Sequence, residues 1–420
     1  MESSESFVVT WPVSRTLTQR STISTRSLAR AKRKTLPETQ EKKPWLKDKH
    51  PGEKWLTIIP VTCIILGLAL SAIICYRGIA SIPNNKYCLV LDEDFSTFNT
   101  SIWSHEIQLG GFGNGGFEWA TDSPNNSYVS NGMLHIVPTL TEDSIGVDSL
   151  LNGYTLNLTG TCTGTLWSDC MRTSNSTNGT IINPVQSARL TTRNSVSINR
   201  GRVEVVAKFP KGDWLWPAIW LMPKNNVYGA WPASGEIDIA ESRGNTRTYA
   251  PYGNNVVSSA LHWGPSSDLD RWSLTTNRYV NQHSDYTQAF HTFGLEWTDD
   301  YILTWVDSPL RQSLYVKFQQ DFWSRGGFPL SYQNGTVTVD PWSTGRTSTP
   351  FDQDFYLILD IAVGGTNGWF PDSVTKPWVD SSPNAPLDFY NQKAQWLSTW
   401  GPGDSNSLLV QSVKMWQLRN

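Results

Sequence analysis

The sequence contains few histidines, only six in 420 residues. No two of them have the spacing of a zinc site, and neither His283 nor His291 has a second candidate ligand close by in the sequence. An isolated histidine is more often a structural residue than a metal ligand. We therefore expect neither a metal ion nor a cofactor.

Signatures of phosphate and nucleic-acid binding are also missing. The glycine-rich stretch of residues 110–116 lacks the lysine and the following helix that a phosphate-binding loop needs. We interpret it as a turn that lets a ligand approach the backbone closely. Since the folded part carries no nucleic-acid footprint, we expect no nucleic-acid partner.

Helical periodicity is scarce from residue 88 onward. Short runs of Val, Ile, Leu, Phe, Tyr and Trp are separated there by Gly, Pro, Asn and Asp. Such a pattern is typical of strands joined by turns. It predicts an all-β sandwich.

Charged residues make up only 17% of the chain, so one acidic stretch stands out. Glu236 and Asp238 alternate with isoleucines, as in a strand that buries one face. Glu241 breaks the alternation and would normally point to the opposite face. One extra residue bulging near Ala240 would return it to the side of the other two acids.

Three carboxyl groups on one surface would repel each other and raise the proton affinity of at least one. One site could then hold an ionised nucleophile and a protonated acid, as retaining glycoside hydrolysis requires of two carboxyl groups about 5 Å apart. An exposed charged strand edge or a calcium loop is the alternative.

Tryptophan is abundant, with 21 residues. Flat indole faces suit the apolar faces of sugar rings, so a tryptophan-rich sandwich with a groove is a natural polysaccharide binder. Most of these residues are expected to pack in the core. Trp216 and Trp220, four residues apart, would lie on one face of a strand.

Blocks along most of the chain resemble one known family. Besides the acidic motif, they are residues 91–95, 111–114, 131–136, 187–190, 201–205, 215–223, 260–264, 290–297 and 355–365. They occur in family order within residues 88–418. The chain resembles glycoside hydrolase family 16, in the branch of laminarinases (endo-1,3-β-glucanases) and animal β-1,3-glucan recognition proteins.

The resemblance implies a concanavalin A-like jelly roll of two antiparallel sheets that takes β-glucan polysaccharide as its partner. It implies that Glu236 is the nucleophile, that Asp238 tunes it, and that Glu241 is the general acid/base. The substrate contacts that it implies are Asn114, Arg189, Trp216, Trp220, Arg243 and His262.

The recognition proteins of this branch bind glucan without cutting it, and have commonly lost one or both glutamates. Here all three acids are present, and two residues separate Asp238 from Glu241, as in the laminarinase subgroup. We therefore expect a retaining endo-β-glucanase for β-1,3-linked glucan, with a role in cell-wall or polysaccharide remodelling. A non-catalytic glucan receptor and a transglycosylase are the alternatives.

Two positions depart from the family pattern. Gly116 stands where many laminarinases have a glutamate that contacts an outer sugar. Gln411 stands where many relatives have an aspartate that helps to hold calcium, so we expect no calcium ion.

The N-terminal region has a separate organisation. Residues 55–76 carry no charge and are long enough to cross a bilayer, which predicts a transmembrane signal anchor. Residues 1–54, with twelve Lys and Arg against six Asp and Glu, are expected to be a disordered basic tail. The positive-inside rule places this tail in the cytosol. After a linker of residues 77–87, the catalytic domain, residues 88–420, would lie outside or in the secretory lumen, as in a single-pass type II protein.

Sequons and cysteines agree with that topology. All six Asn-X-Ser/Thr triplets follow the apolar segment, and they begin at Asn99, Asn125, Asn157, Asn175, Asn178 and Asn334. Cys162 and Cys170 lie in a sequon-rich insertion, residues 141–186, that we expect to be a surface loop. Their spacing predicts a disulfide on the luminal side. Cys88 is then left over, free or paired with another chain.

Overall fold

The computed structural model of the chain describes residues 51–80, 85–332 and 335–419. The chain divides into two compact units, Met1–Pro83 and Asn84–Asn420. Their boundary falls inside the predicted linker of residues 77–87. Most of the predicted basic tail, residues 1–50, and the sequon at Asn334 lie outside the described residues.

In the first unit the described residues form the helix α1 (Glu53–Ala80). Apolar side chains occupy every side of α1, and its most apolar stretch has a mean hydropathy of 2.7 and is fully exposed. The span predicted from the sequence, residues 55–76, lies within this helix. By length and composition α1 can cross a bilayer.

The second unit is built mainly from β-strands. In the described residues these are, in chain order, β1 (Tyr87–Glu93), β2 (Ser104–His105), β3 (Glu118–Ala120), β4 (Ser127–Ser130), β5 (Met133–Ile136), β6 (Thr139–Leu140), β7 (Asn152–Asn157), β8 (Met171–Asn175), β9 (Val185–Ser187), β10 (Arg189–Thr191), β11 (Ser197–Ile198), β12 (Gly201–Lys208), β13 (Leu215–Pro223), β14 (Glu236–Glu241), β15 (Val256–His262), β16 (Thr276–Val280), β17 (His291–Trp297), β18 (Tyr301–Val306), β19 (Gln312–Lys317), β20 (Phe355–Val363) and β21 (Leu408–Leu418).

The helices of this unit are short. They are α2 (Glu142–Ile145), α3 (Val147–Leu151), α4 (Trp167–Cys170), α5 (Phe322–Gly326), α6 (Ala385–Asn391) and α7 (Lys393–Trp396). None of these segments reaches the length at which a helix is stable without tertiary packing.

Two large antiparallel sheets form the framework. The first has the order β19-β18-β17-β12-β21-β5-β4, with β1 also paired to β21. The second has the order β16-β15-β14-β13-β20-β10-β2, with β11 also paired to β20. Strands distant in sequence are neighbours in each sheet, as in jelly rolls. The predicted all-β sandwich is confirmed.

A single hydrophobic cluster joins the two sheets. Val203 and Leu295 of the first sheet belong to it together with Ile237, Val257 and Leu359 of the second, and all five are completely buried. Each such side chain stabilises the fold by about 1.5–3 kcal/mol relative to exposure. Because Ile237 points into this core, its neighbours Glu236 and Asp238 must point to the other face of the second sheet.

The insertion, residues 141–186, is folded rather than a simple loop. It contains α2, α3, the paired strands β7 and β8, and α4. Leu156, Leu158 and Ile182 form a small apolar cluster with Ile107 and Leu109, which precede the insertion, and Cys162 is joined to Cys170. The apolar residues spaced through this polar segment supply the burial that makes it fold.

Candidate active site

The acidic strand β14 contains the irregularity that its sequence predicts. Glu236 pairs with His262 and Asp238 with Ala260, but Glu241 pairs with Ser258. Two residues of β14 therefore stand opposite one residue of β15, which is a β-bulge. The extra residue returns Glu241 to the face of Glu236 and Asp238, where the three carboxyl groups interact electrostatically.

A buried hydroxyl group holds the bulge in place. Ser259, the residue opposite the bulge, donates a hydrogen bond of 2.7 Å to the carbonyl oxygen of Ile239. Its Oγ accepts from the Thr304 hydroxyl at 2.8 Å, which links the bulge to the first sheet. The Ile239 carbonyl oxygen, which the bulge leaves without a strand partner, thereby has a hydrogen bond although it is buried.

Each glutamate has an indole partner. Trp231 Nε1 donates to Glu236 Oε2 at 2.7 Å, and Trp216 Nε1 donates to Glu241 Oε1 at 2.8 Å. Asp238 lies between them and is only 2% exposed. Fixed N–H donors position both carboxyl groups, and Glu236 is also hydrogen-bonded to Asp238.

His262 connects the acids to a fourth carboxylate. Its Nε2 lies 3.3 Å from Asp238 Oδ2 and its Nδ1 lies 2.5 Å from Asp270 Oδ2. Among the described residues Asp238 Oδ2 has no hydrogen-bond partner, so its contact with His262 is an ion pair, whereas Asp270 is hydrogen-bonded to the ring. With a carboxylate at each ring nitrogen, the surroundings favour the imidazolium form of His262.

Burial governs the proton affinities of the site. It raises the pKa of Glu236, which the charge of Asp238 raises further, and it raises the pKa of Asp238, with Glu241 adding to the effect. It raises the pKa of Glu241 to about 7. Burial opposes protonation of His262, but the charge of Glu236 and the contacts with Asp238 and Asp270 outweigh it and hold its pKa well above the usual value. The cluster therefore retains protons near neutral pH.

Glu236, Asp238 and His262 are also the one group of described residues whose ligand atoms cluster as a metal site would, within 4.8 Å of one another. Metal binding needs a neutral imidazole with a free lone pair. His262 has a carboxylate at each nitrogen, and its pKa is held above the ordinary value. A metal ion at this position would therefore have to displace a proton that the surrounding carboxyl groups favour.

Two predicted substrate contacts at one end of the trio, Trp216 and Arg243, are more than nine-tenths buried. The Trp216 ring stacks on Trp369 with centroids 4.6 Å apart. The Arg243 guanidinium lies 4.1 Å from the centre of the Trp369 ring and donates to that residue's carbonyl oxygen. Their observed role is to support Trp369 and Glu241, and direct contact with substrate stays a prediction.

Arg189 and Trp220 lie beside the acids on the same face of the second sheet. The Arg189 guanidinium lies between the rings of Phe112 and Trp220, at 3.9 and 4.6 Å from their centroids. Its Nε pairs with Glu106 at 2.5 Å, and Trp220 Nε1 donates to Asp360 Oδ1 at 2.8 Å. A buried cation thus fixes an aromatic wall beside the acids, while sugar contact by Arg189 stays a prediction.

Asn114 ends the glycine-rich turn. Its side-chain oxygen accepts from Asn367 Nδ2 at 3.1 Å and its carbonyl oxygen from the Thr366 amide at 3.0 Å. Gly111, Gly113 and Gly115 have positive φ angles, so the close turn that the glycines predict is present. The structure gives Asn114 no contact with the trio, so its role stays a prediction.

The sequence interpretation did not identify Trp231, Trp272, Trp369 or Asp270. Trp231 and Trp272 are 40% and 46% exposed, and their ring centroids lie 5.7 and 6.1 Å from that of His262. Exposed indoles beside a catalytic face are good sugar contacts. With 21 tryptophans in the chain, no local signal separates these from the core ones.

The geometry and the comparisons with known proteins agree. The second unit is a jelly-roll sandwich with three acids on one face of a sheet, an arrangement that glycoside hydrolase folds can have. The sequence profile of glycosyl hydrolases family 16 matches residues 162–355. A beta-1,3-glucan-binding protein of Penaeus monodon is 41% identical over 345 residues, which cover 79% of this chain and 91% of that protein. The chain belongs to glycosyl hydrolase family 16.

Two other similarities extend this result. Glucan endo-1,3-beta-glucosidase A1 of Niallia circulans is 28% identical over 291 residues, which cover 66% of this chain and 34% of that protein. An endo-beta-1,3-glucanase from Pyrococcus furiosus superposes with a TM-score of 0.50 at 22% identity, covering 81% of this chain and 97% of that one. The second similarity shows the shared fold alone.

The raised pKa of Glu241 predicts a stability effect that depends on pH. The carboxyl group titrates at about 7 in the folded protein and near 4.5 when unfolded, so its buried charge destabilises the fold above pH 7. Below pH 4.5 both states are neutral and the effect disappears. Glu241→Gln should therefore raise the free energy of unfolding by about 1–3 kcal/mol at pH 8 and change it little at pH 4.

Urea denaturation of the full-length chain, followed by tryptophan fluorescence at both pH values, measures this difference. Glu204→Gln is the matched control, because Glu204 lies on β12 of the other sheet and pairs with Arg202. It should show no comparable gain at pH 8. An equal effect of Glu241→Gln at both pH values would rule out a buried charge at this position.

Proposed function

We propose that the chain is a membrane-tethered, retaining endo-β-glucanase that cleaves β-1,3-linked glucan. The observation that carries the proposal is the bulge in β14, which presents Glu236, Asp238 and Glu241 on one face of the second sheet. An indole N–H on each glutamate adds to it. The intact trio on a family 16 fold supports catalysis as well as binding.

In the proposed mechanism Glu236 attacks the anomeric carbon while Glu241 protonates the departing glycosidic oxygen. Glu241 then removes a proton from the water that releases the sugar from Glu236. The reactive state has Glu236 ionised and Glu241 protonated. Burial raises the pKa of both glutamates, and an indole N–H together with the positive charge of His262 lowers both, so the three coupled carboxyl groups share the remaining protons.

Asp238 assists by its position. It lies between the glutamates and next to His262, so its charge is balanced by the imidazolium when Glu236 ionises. As Glu236 becomes an ester in the covalent intermediate, the cluster loses one negative charge and Asp238 remains as the partner of His262. The three carboxyl groups exchange protons as one coupled system.

The aromatic surroundings supply binding for the polymer. Trp231 and Trp272 have partly exposed indole rings next to His262, and the Phe112–Arg189–Trp220 stack forms a rigid wall beside the acids. Sugar rings pack their apolar faces on such side chains. These contacts would orient a glucan chain across the trio.

A non-catalytic glucan receptor is the second candidate. It is favoured by the similarity to a protein of Penaeus monodon whose name is beta-1,3-glucan-binding protein. Both candidates use the same face and differ only in turnover. Measurement of released oligosaccharides therefore separates them.

We also propose that α1 anchors the chain in a membrane, with residues 1–54 in the cytosol. The helix has 28 residues, about 42 Å at 1.5 Å per residue, which exceeds the hydrocarbon core of about 30 Å. Lys and Arg are concentrated before α1, and the sequons follow it. Of the five described sequon asparagines, Asn125, Asn157, Asn175 and Asn178 are exposed, as glycan attachment requires, and Asn99 is partly buried.

The first prediction of this proposal concerns turnover. Glu236→Gln should lower kcat/KM for laminarin by at least about a thousandfold, because an amide cannot form the glycosyl ester. Binding should persist, since the Gln oxygen still accepts from Trp231. Reducing-sugar release and laminarin affinity on the full-length chain measure the two effects.

Glu204→Gln, on the opposite sheet, is the control and should behave as wild type. Undiminished hydrolysis by Glu236→Gln would refute the assignment of the nucleophile. A wild-type chain that binds laminarin and releases no oligosaccharides would establish the receptor instead. Transfer to a labelled acceptor sugar would identify a transglycosylase.

The second prediction concerns topology. When the chain is synthesised with microsomes, the second unit should be glycosylated and resist added protease, while residues 1–54 should be digested. Alkaline carbonate should leave the chain in the membrane pellet. Asn125→Gln should remove one glycan and leave the protected fragment otherwise unchanged. Digestion of the second unit in intact microsomes, or a shortened chain in the soluble fraction, would contradict the signal anchor.

A further inference from the structure

We propose that Asp270 is a positioning residue for the acidic trio: it holds His262 as a cation with Nε2–H directed at Asp238. This inference rests on the proposed function and deepens it. Asp270 contacts neither of the two glutamates, and would act only through His262.

Three hydrogen bonds fix the Asp270 carboxylate. Its Oδ1 accepts from the backbone amides of Trp263 and Trp272, each at 3.1 Å, and its Oδ2 lies 2.5 Å from His262 Nδ1. The side chain is only 9% exposed. A carboxylate anchored by two amides cannot follow the imidazole, so it determines the direction in which the ring points.

The ring has little freedom in other directions. His262 ends β15, directly opposite Glu236 on β14. The indoles of Trp231 and Trp272 lie beside it, with centroids 5.7 and 6.1 Å away. With Nδ1 held by Asp270, the remaining nitrogen must face the acidic strand, where Nε2 lies 3.3 Å from Asp238 Oδ2.

Within the part of the chain that the structure describes, the charged groups that act most strongly on His262 are acids. Glu236, Asp238 and Glu241 face it from β14, and Asp270 faces it from the turn that follows β15. The cation lowers the proton affinity of the two glutamates, against the effect of burial. Asp270 is the member of this group that lies outside the trio, so it can secure the cation without taking part in the chemistry.

The arrangement has a direct consequence for the pH dependence of catalysis. The rising limb of kcat/KM reports ionisation of the nucleophile in the free enzyme. If Asp270 secures the cation, removing its charge lets His262 lose a proton more easily, and the carboxyl groups then bind protons more tightly. Both limbs of the profile should move to higher pH, with most of the activity retained at the new optimum.

Asp270→Asn tests this inference, because the amide oxygen keeps the bonds to the Trp263 and Trp272 amides, while an uncharged NH2 group replaces the oxygen that accepts from His262 Nδ1. The pKa of His262, measured by ¹⁵N NMR of histidine-labelled full-length chain, should fall by at least about one unit. The rising limb for laminarin should shift up by about one unit, a tenfold loss at low pH. His262→Gln identifies the signal among the six histidines.

Asp268→Asn is the matched control. Asp268 is exposed, lies two residues away and accepts from the Ser266 hydroxyl. It should leave both the His262 titration and the pH profile unchanged. In the His262→Gln background, Asp270→Asn should no longer shift the profile, since the group through which it acts is absent.

Several outcomes would overturn the inference. One is a wild-type His262 that titrates near its ordinary pKa of 6.5, a test that needs no variant. Another is an equal loss of activity at every pH with an unchanged His262 titration. A wild-type chain without turnover would refute the proposed function alone, because the NMR titration needs no substrate and still tests the hold of Asp270 on His262.

Discussion

The single inserted residue in β14 is the constraint on which the site depends. In a regular strand Glu241 would enter the hydrophobic core opposite Glu236, where an unpaired carboxylate is strongly unfavourable. The bulge turns Glu241 to the outer face. The Ile239 carbonyl oxygen, which the irregular pairing leaves without a strand partner, accepts a hydrogen bond from the Ser259 hydroxyl. The Thr304 hydroxyl extends this anchor to the opposite sheet, so the catalytic geometry is fixed by the sandwich itself.

The electrostatics follow from that geometry. Burial raises the pKa values of the three carboxyl groups. The positive charge of His262 and the two indole N–H groups lower these pKa values and so limit the rise. These opposing influences place the titration of Glu241 at about 7, the range in which a general acid can also serve as a base. In the proposed mechanism the bulge thus brings the acid and the nucleophile together from chemically similar residues.

The features that the sequence could predict are those encoded in short spacings. Alternation within residues 236–239 and the offset of Glu241 predicted the bulge, and short apolar runs predicted the sandwich. An uncharged stretch predicted the helix that the structure shows as α1. Each of these depends on neighbouring residues and on the fixed pleat or helical period.

The remaining features depend on contacts between distant segments. Asp270 reaches His262 because the turn after β15 folds back, and Trp369 stacks on Trp216 across 153 positions of sequence. Arg189 supports the rings of Phe112 and Trp220, two residues that are distant from each other in the sequence. The insertion folds because apolar residues scattered through it meet in three dimensions. No local pattern in the sequence predicts these contacts.

The most direct test of the account is to trap the covalent intermediate. A β-1,3-linked oligosaccharide with a 2-fluoro substituent and a reactive leaving group should label the full-length chain slowly and stoichiometrically, because the fluorine slows release of the ester more than its formation. Mass spectrometry of the digested protein should place the sugar on Glu236. Attachment at Glu241, or hydrolysis of laminarin with no sugar attached at Glu236, would contradict the central claim that the bulged strand carries the nucleophile and the acid in the assigned order.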